Sequence, residues 1–202
     1  MLTIGICGAS GSGKSTLARS LLSAIDQDCV LITQDCYYKD HSHLPFSERE
    51  EINYDEPDAF EHELLFSDIQ QLVNGQPITR KGYDYAEHMR ADSDELIHPS
   101  DVLVFEGIHA FYDPMLRNLL DFKLFVQVDP DICLLRRVRR DINKRGRHID
   151  GIALQYLTTV KPMFERYIRN YSEHADVIVA GGGKNKKIVD VLAHYINSGM
   201  VK

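Results

Sequence analysis

The sequence lacks most of what would send a chain out of the cytoplasm. No apolar run is long enough to span a bilayer. The chain enters an apolar strand without a basic segment leading into a cleavable apolar one, so a cytoplasmic protein without a membrane partner is expected. The four cysteines, Cys7, Cys29, Cys36 and Cys133, form no CxxC pair and no regular framework. Reduced thiols are the simplest account of them. Basic charge is also short: 23 Lys and Arg stand against 30 Asp and Glu, for a net charge of −7. That balance argues against a general nucleic-acid or membrane binder. No internal repeat and no low-complexity stretch is visible. What remains is a chain of 202 residues, 44% hydrophobic and 26% charged, with the composition of a soluble single domain (1–202) large enough for a real core.

One stretch organises it. Gly8-Ala9-Ser10-Gly11-Ser12-Gly13-Lys14-Ser15-Thr16 reads GxxxxGK[ST], a phosphate-binding loop. The flanks agree. Leu2 to Cys7 is an apolar run suited to a buried parallel strand, and Leu17, Ala18, Leu21, Leu22 and Ile25 fall at helical spacing. Glycines let successive backbone N–H groups turn toward an anion, and a helix N-terminus adds positive charge. Lys14 is expected at the β- and γ-phosphates and the Ser15 hydroxyl at Mg²⁺.

Further apolar strands follow at Cys29–Gln34, Val102–Gly107, Phe122–Val128 and Ala175–Ala180, separated by helical patterns. This predicts an α/β fold, a five-stranded parallel sheet flanked by helices. Ligands bind outside the carboxyl ends of such strands. Asp35 and Glu106 stand at two of those ends, as chemical groups or as ordinary strand-end acids. Residues 36–58 read as a long functional loop with short helical pieces, and Asp58 or a neighbour is placed to cap the next helix. Asn74-Gly75 stops that helix. Residues 76–100 read as a β-hairpin excursion around Tyr83-Asp84-Tyr85-Ala86-Glu87-His88-Met89-Arg90, either a solvated tip or the wall of a flat ligand's site. Asp113-Pro114 and Asp129-Pro130 open helices. Residues 136–147 hold seven basic residues and one acid. A lid of arginines closing on a triphosphate is favoured over an RNA patch, because no other basic surface is visible. Ile149 to Tyr171 reads as one long helix that Pro162 should bend or break.

In combination these motifs resemble the uridine (uridine–cytidine) kinases over nearly the whole chain. The resemblance is carried by Thr33-Gln34-Asp35 with Tyr37-Tyr38, by Asn53-Tyr54-Asp55-Glu56-Pro57-Asp58-Ala59-Phe60, and by Tyr83-Asp84-Tyr85 with His88 and Arg90. It continues through Phe105-Glu106-Gly107-Ile108, Arg136-Arg137, Arg140-Asp141-Ile142, Arg145-Gly146-Arg147, Gln155-Tyr156 and Lys161-Pro162. It implies a P-loop NTPase fold with an Arg-rich lid at about 137–158, ATP or GTP as donor, Mg²⁺ held near Ser15 and Glu106, and a homotetramer. It implies Asp35 as catalytic base, and Asp55 with Arg137 and Gln155 at the ribose. Tyr83 and His88 would read the pyrimidine edge, with Tyr38, Tyr54 and Tyr85 around it. Arg140, Arg145 and Arg147 would approach the phosphates, and Gly181 to Asn185 would lie near the donor's base. The implied reaction makes UMP and CMP from uridine and cytidine in pyrimidine salvage. Arg80-Lys81-Gly82, Cys36 and Met89 depart from the family pattern. Rival readings are a related kinase acting on nicotinamide riboside, phosphoribulose or pantothenate, and a nucleotide-dependent RNA-binding or regulatory module.

Overall fold

The computed structural model describes residues 1–199; the last three residues of the expected 1–202 domain lie outside them. The elements run β1 (Leu2–Gly8), α1 (Lys14–Leu22), β2 (Cys29–Thr33), α2 (Phe46–Arg49), α3 (His62–Val73), β3 (Ile78–Thr79), β4 (Tyr83–Asp84), β5 (Met89–Arg90) and β6 (Leu96–Ile97). They continue with β7 (Val102–Gly107), α4 (Pro114–Asn118), β8 (Phe122–Gln127), α5 (Pro130–Arg145), α6 (Ile149–Gln155), α7 (Lys161–Arg166), β9 (Val177–Ala180) and α8 (Lys186–Asn197).

Five of the strands form one parallel sheet in the order β2-β7-β1-β8-β9. Strand β1 sits at its centre because its side chains are apolar on both faces. Ile4 and Ile6 pack with Val104, Leu124 and Val126 under α1 and α8. Cys7 packs with Leu103, Phe105 and Phe125 against Leu65, Ile69 and Leu72 of α3. Such burial on both faces is what continuous apolar strands require. The excursion between α3 and β7 is a hairpin of two short ladders, β3 with β6 and β4 with β5. It overhangs the carboxyl end of the sheet, where Tyr83 meets Tyr38 with ring centroids 4.8 Å apart.

Two helix boundaries differ from expectation. Asp58 caps nothing, because Pro57–Ala59 close a 3₁₀ turn of their own. Phe60 then runs extended into the core, and α3 starts only at His62. Of the two outcomes expected at Pro162, a bend or a break, the helix from Ile149 shows an interruption, and it ends at Arg166 rather than Tyr171. Pro162 has no N–H to offer the carbonyl four residues back, and the turn before it, Tyr156–Val160, widens to a π-helical segment. Pro162 then lies in the first turn of α7, where a missing N–H costs little. Tyr167 leaves helical geometry, and Ile168–His174 continue as 3₁₀ turns.

His109, just past β7, is fully buried. Its Nε2 lies 2.8 Å from the backbone carbonyl of Asp55, and its Nδ1 lies 2.8 Å from the Tyr171 hydroxyl. The carbonyl only accepts, so Nε2 carries the proton and Nδ1 accepts from Tyr171. Burial pushes this imidazole's pKa from 6.5 down to about 4. The unfolded chain therefore binds the extra proton first. Stability should be full above about pH 6.5 and should fall by up to about 3 kcal/mol toward pH 4. Urea unfolding across that range checks this: His109→Leu should flatten the slope, and an unaltered slope would assign it to other groups.

Candidate active site

The phosphate loop leaves β1 at Gly8 and enters α1 at Lys14. Gly11 and Gly13 hold left-handed φ values of +85° and +99°. The second of these lies against another glycine: a Cβ on Gly13 would meet the Gly183 nitrogen at 2.8 Å, and one on Gly183 would meet the Gly13 carbonyl oxygen at 2.1 Å. The turn between β9 and α8 thus braces the loop backbone to backbone. Ser12 Oγ is buried in the loop without a hydrogen-bond partner.

Below the loop, the Ser15 hydroxyl donates to Glu106 Oε1 at 2.8 Å. Glu106 is 3% exposed and Lys14 9%. Burial pushes the Glu106 carboxyl above its ordinary range, and nearby Asp35 adds to that, while Lys14 and the Ser15 bond oppose it. Asp35 lies two residues past β2 on a 3₁₀ segment, Gln34–Tyr37, at the same sheet end. Cys36 beside it is inert: burial, with Asp35 and Glu106, pushes its thiol up to about 11.

The lid is organised by its single acid. Asp141 is fully buried, with Arg140 Nε at 2.8 Å, Arg145 Nη1 at 3.3 Å and Arg137 Nε at 3.5 Å. Burial alone would raise its carboxyl; the Arg140 hydrogen bond and the three guanidinium charges outweigh it and hold the group below the usual range. Arg137 reaches the Ser10 hydroxyl at 2.9 Å and Gln155 Oε1 at 2.8 Å, and lies 3.9 Å from Asp55. Arg136 donates to the Ser12 carbonyl at 3.2 Å. Side chains of helix α5 therefore reach both the phosphate loop and Asp55. Arg147, expected at the phosphates, is turned toward the acceptor end. It donates to Gln155 at 2.9 Å and to His88 Nε2 at 2.9 Å.

At the acceptor end, Asp55 is buried and accepts from Thr159 Oγ1 at 3.2 Å. Thr159 stands in the π-helical segment, a distortion common at functional sites. His88 adopts φ 52°, the only left-handed residue other than glycine among those described. Its ring stacks on Tyr54 at 4.8 Å. Burial, with Arg147 and Arg145, holds its pKa down at about 4, so it stays neutral and its Nε2 accepts. The Tyr54 and Tyr83 hydroxyls are buried without a well-formed hydrogen bond, although each feels the other. Burial keeps both protonated and able to donate to a ligand. Tyr85 donates to Asp35 Oδ2 at 2.9 Å. The departures at the hairpin have structural work: Arg80 makes a two-pronged pair with Glu95 at 2.8 and 3.0 Å, and a Cβ on Gly82 would meet the Ala91 carbonyl at 2.2 Å.

One cleft of about 1010 Å³ is lined among others by Lys14, Ser15, Asp35, Glu106, Asp55 and Tyr83. Its lining also takes in His88, Arg137, Arg140, Arg145, Arg147 and Gln155. Tyr38, Tyr54 and Tyr85 belong to the same wall. His109, Thr159 and Tyr171 were not expected from sequence. The one available signal was a histidine inside the apolar run Ile108 to Phe111.

A cleft with a phosphate cradle at one end and a carboxylate facing a polar, aromatic recess at the other makes the protein a kinase of the P-loop class. The chain belongs to the phosphoribulokinase/uridine kinase family, whose model matches residues 3–187. A uridine kinase of Leuconostoc citreum is 44% identical over 196 residues, covering 96% of this chain and 93% of that one. A uridine kinase of Klebsiella pneumoniae is 44% identical over 199 residues, again covering 96% and 93%. Among solved structures, one described as a possible uridine kinase from Bacillus stearothermophilus superposes with a TM-score of 0.61 at 18% identity, covering 88% of each chain. Phosphoribulokinase from Rhodobacter spheroides gives 0.54 at 14% identity, covering 82% of this chain and 67% of that one. At those identities the likeness concerns the fold.

The brace between Gly183 and Gly13 yields a direct expectation. A methyl at 183 would collide with backbone atoms, which cannot swing away, so the loop must shift. Gly183→Ala should weaken nucleoside-triphosphate binding about tenfold or more, for a strain of roughly 1–3 kcal/mol. Titration calorimetry measures it, and wild-type affinity would mean that the brace does not shape the loop.

Proposed function

We propose that the protein transfers the γ-phosphoryl group of ATP or GTP to the 5′-hydroxyl of uridine and cytidine, giving UMP and CMP in pyrimidine salvage. The observation that carries this reading is the acceptor recess. A buried Asp55 beside Arg137, Gln155 and Thr159 suits a vicinal diol, next to a ring-lined slot with donors at Tyr83 and Tyr54 and a neutral His88. The 44% identity to uridine kinases supports the same acceptor.

In this reading Asp35 accepts the proton of the 5′-hydroxyl as its oxygen attacks the γ-phosphorus. The bond from that phosphorus to the β-bridging oxygen breaks, and the nucleoside diphosphate leaves. Gly8 to Thr16 hold the donor's phosphates through backbone N–H groups. Lys14, with Arg140 and Arg145 of the lid, balances the charge that develops on the leaving oxygens. The lid also keeps water, a competing acceptor, from the site. Asp55 binds the 2′- and 3′-hydroxyls, so a 2′-deoxynucleoside leaves a buried carboxylate underpaired at a cost of about 1–3 kcal/mol.

The Ser15 hydroxyl and the Glu106 carboxylate are hard oxygen donors side by side, which fits Mg²⁺ with its remaining ligands from water and phosphate. Bound there, the ion would neutralise charge on the β- and γ-phosphate oxygens. We further propose a cytoplasmic homotetramer with small-molecule partners and no nucleic-acid partner, as the family resemblance and the acidic net charge suggest.

A coupled assay with Mg²⁺–ATP and Mg²⁺–GTP against uridine, cytidine, deoxycytidine, nicotinamide riboside and pantothenate tests the reading. Turnover should be confined to uridine and cytidine, and Asp35→Asn should lower kcat by roughly 10²–10⁴. Turnover of another acceptor alone would reassign the Tyr83–His88 recess. Glu106→Gln should raise the Mg²⁺ concentration needed for half-maximal rate about tenfold or more, the usual scale for a lost metal contact. An unaltered Mg²⁺ curve would remove Glu106 from the metal.

A further inference from the structure

The hairpin carries a half-buried tyrosine hydroxyl onto Asp35, the carboxylate read above as the base. Tyr85 follows β4 directly, and its Oη lies 2.9 Å from Asp35 Oδ2, fifty residues away in the chain. Its ring is held on two sides. Tyr83 meets it edge-on at 5.3 Å, and the Arg145 guanidinium lies over it, 4.2 Å from the centroid. Arg145 is in turn fixed to Asp141 at 3.3 Å. The ring is thus clamped between hairpin and lid, and only the hydroxyl points at Asp35.

An aspartate side chain rotates among staggered positions unless something selects one. The turn Gln34–Tyr37 fixes the backbone of Asp35, not its carboxylate plane. We propose that Tyr85 is a positioning residue for the reaction: its hydroxyl holds Oδ2 of Asp35, so that Oδ1 is presented to the acceptor hydroxyl. The hydroxyl is suited to this, since burial first, and then the charge of Asp35, keep it protonated. A ring that served only as a wall of the acceptor recess would need no hydroxyl. The inference rests on the reading of Asp35 as the base.

Tyr85→Phe keeps the ring and its contact with Arg145 and removes the oxygen alone. With uridine and Mg²⁺–ATP, or with whichever acceptor the wild-type protein turns over, kcat should fall about tenfold, the scale of one hydrogen bond to a charged group. The KM for the acceptor should change less than about twofold. In an Asp35→Asn background the same substitution should cost less than about twofold, because there is no base left to position. Tyr85→Leu, which loses the ring as well, should raise the acceptor KM in addition. Wild-type kcat in Tyr85→Phe would overturn the proposal, as would a loss confined to KM or a full loss in the Asp35→Asn background. If Asp35→Asn itself retains wild-type kcat, the base assignment fails first; if it loses activity and Tyr85→Phe does not, only the positioning role falls.

Discussion

A carboxylate out of contact with solvent, Glu106, is tolerable only because Lys14 and the Ser15 hydroxyl sit beside it. Burial of an isolated charge is expensive, and removing either partner would leave the other uncompensated. This small cluster ties the start of α1 to the end of β7, and so fixes the phosphate loop relative to the strand beside it. The rest of the cleft is arranged from that point. Asp35 emerges on the far side of β7, and the lid approaches from beyond β8. The stability the cluster forgoes by keeping an acid buried is exchanged for a site whose charges need little reorganisation when phosphates arrive.

The same logic governs the lid. Seven basic residues in twelve would repel one another and stay extended without a counter-charge. Asp141, the one acid among them, gathers Arg137, Arg140 and Arg145 and has its charge satisfied by them. The remaining guanidinium donors are then free to turn outward, some to the phosphate loop and some to the acceptor recess. Because Arg147 spans Gln155 and His88, the lid and the hairpin share a contact. Movement of either is felt by both ends of the cleft.

What the sequence reveals about this arrangement follows from how local each cause is. The phosphate loop, the apolar strands and the helix starts at Asp113-Pro114 and Asp129-Pro130 are written in a few adjacent residues, and the structure has them where they are expected. The sheet order is consistent with the βα alternation. The inner ladder of the hairpin was beyond reach, since strands of two residues have no period to read. The π-helical turn was equally hidden: Pro162 signals a disturbance, but whether the helix bends or widens depends on what Thr159 meets across the cleft. Which residues would line the cleft was largely legible through resemblance to a family. The pairs they form, Tyr85 with Asp35, Arg147 with His88 and His109 with the Asp55 carbonyl, join segments tens of residues apart and come only from the fold.

Strand β1 precedes its neighbours in the chain by a long interval. Leu2 is in register with Val102, so about 100 residues must be synthesised before β1 has any partner. At ribosomal speeds of about 5–20 residues per second that takes on the order of 5–20 s. Gly183, which braces the phosphate loop, comes later still. A nascent chain thus displays the Gly-Lys-Ser sequence well before it owns a nucleotide site, and ATP in the cell cannot serve as a template for its early folding. Until β7 emerges, the segment that will become the centre of the sheet is an unpaired apolar strand with two open edges. An exposed apolar strand of that kind is aggregation-prone until its partners arrive.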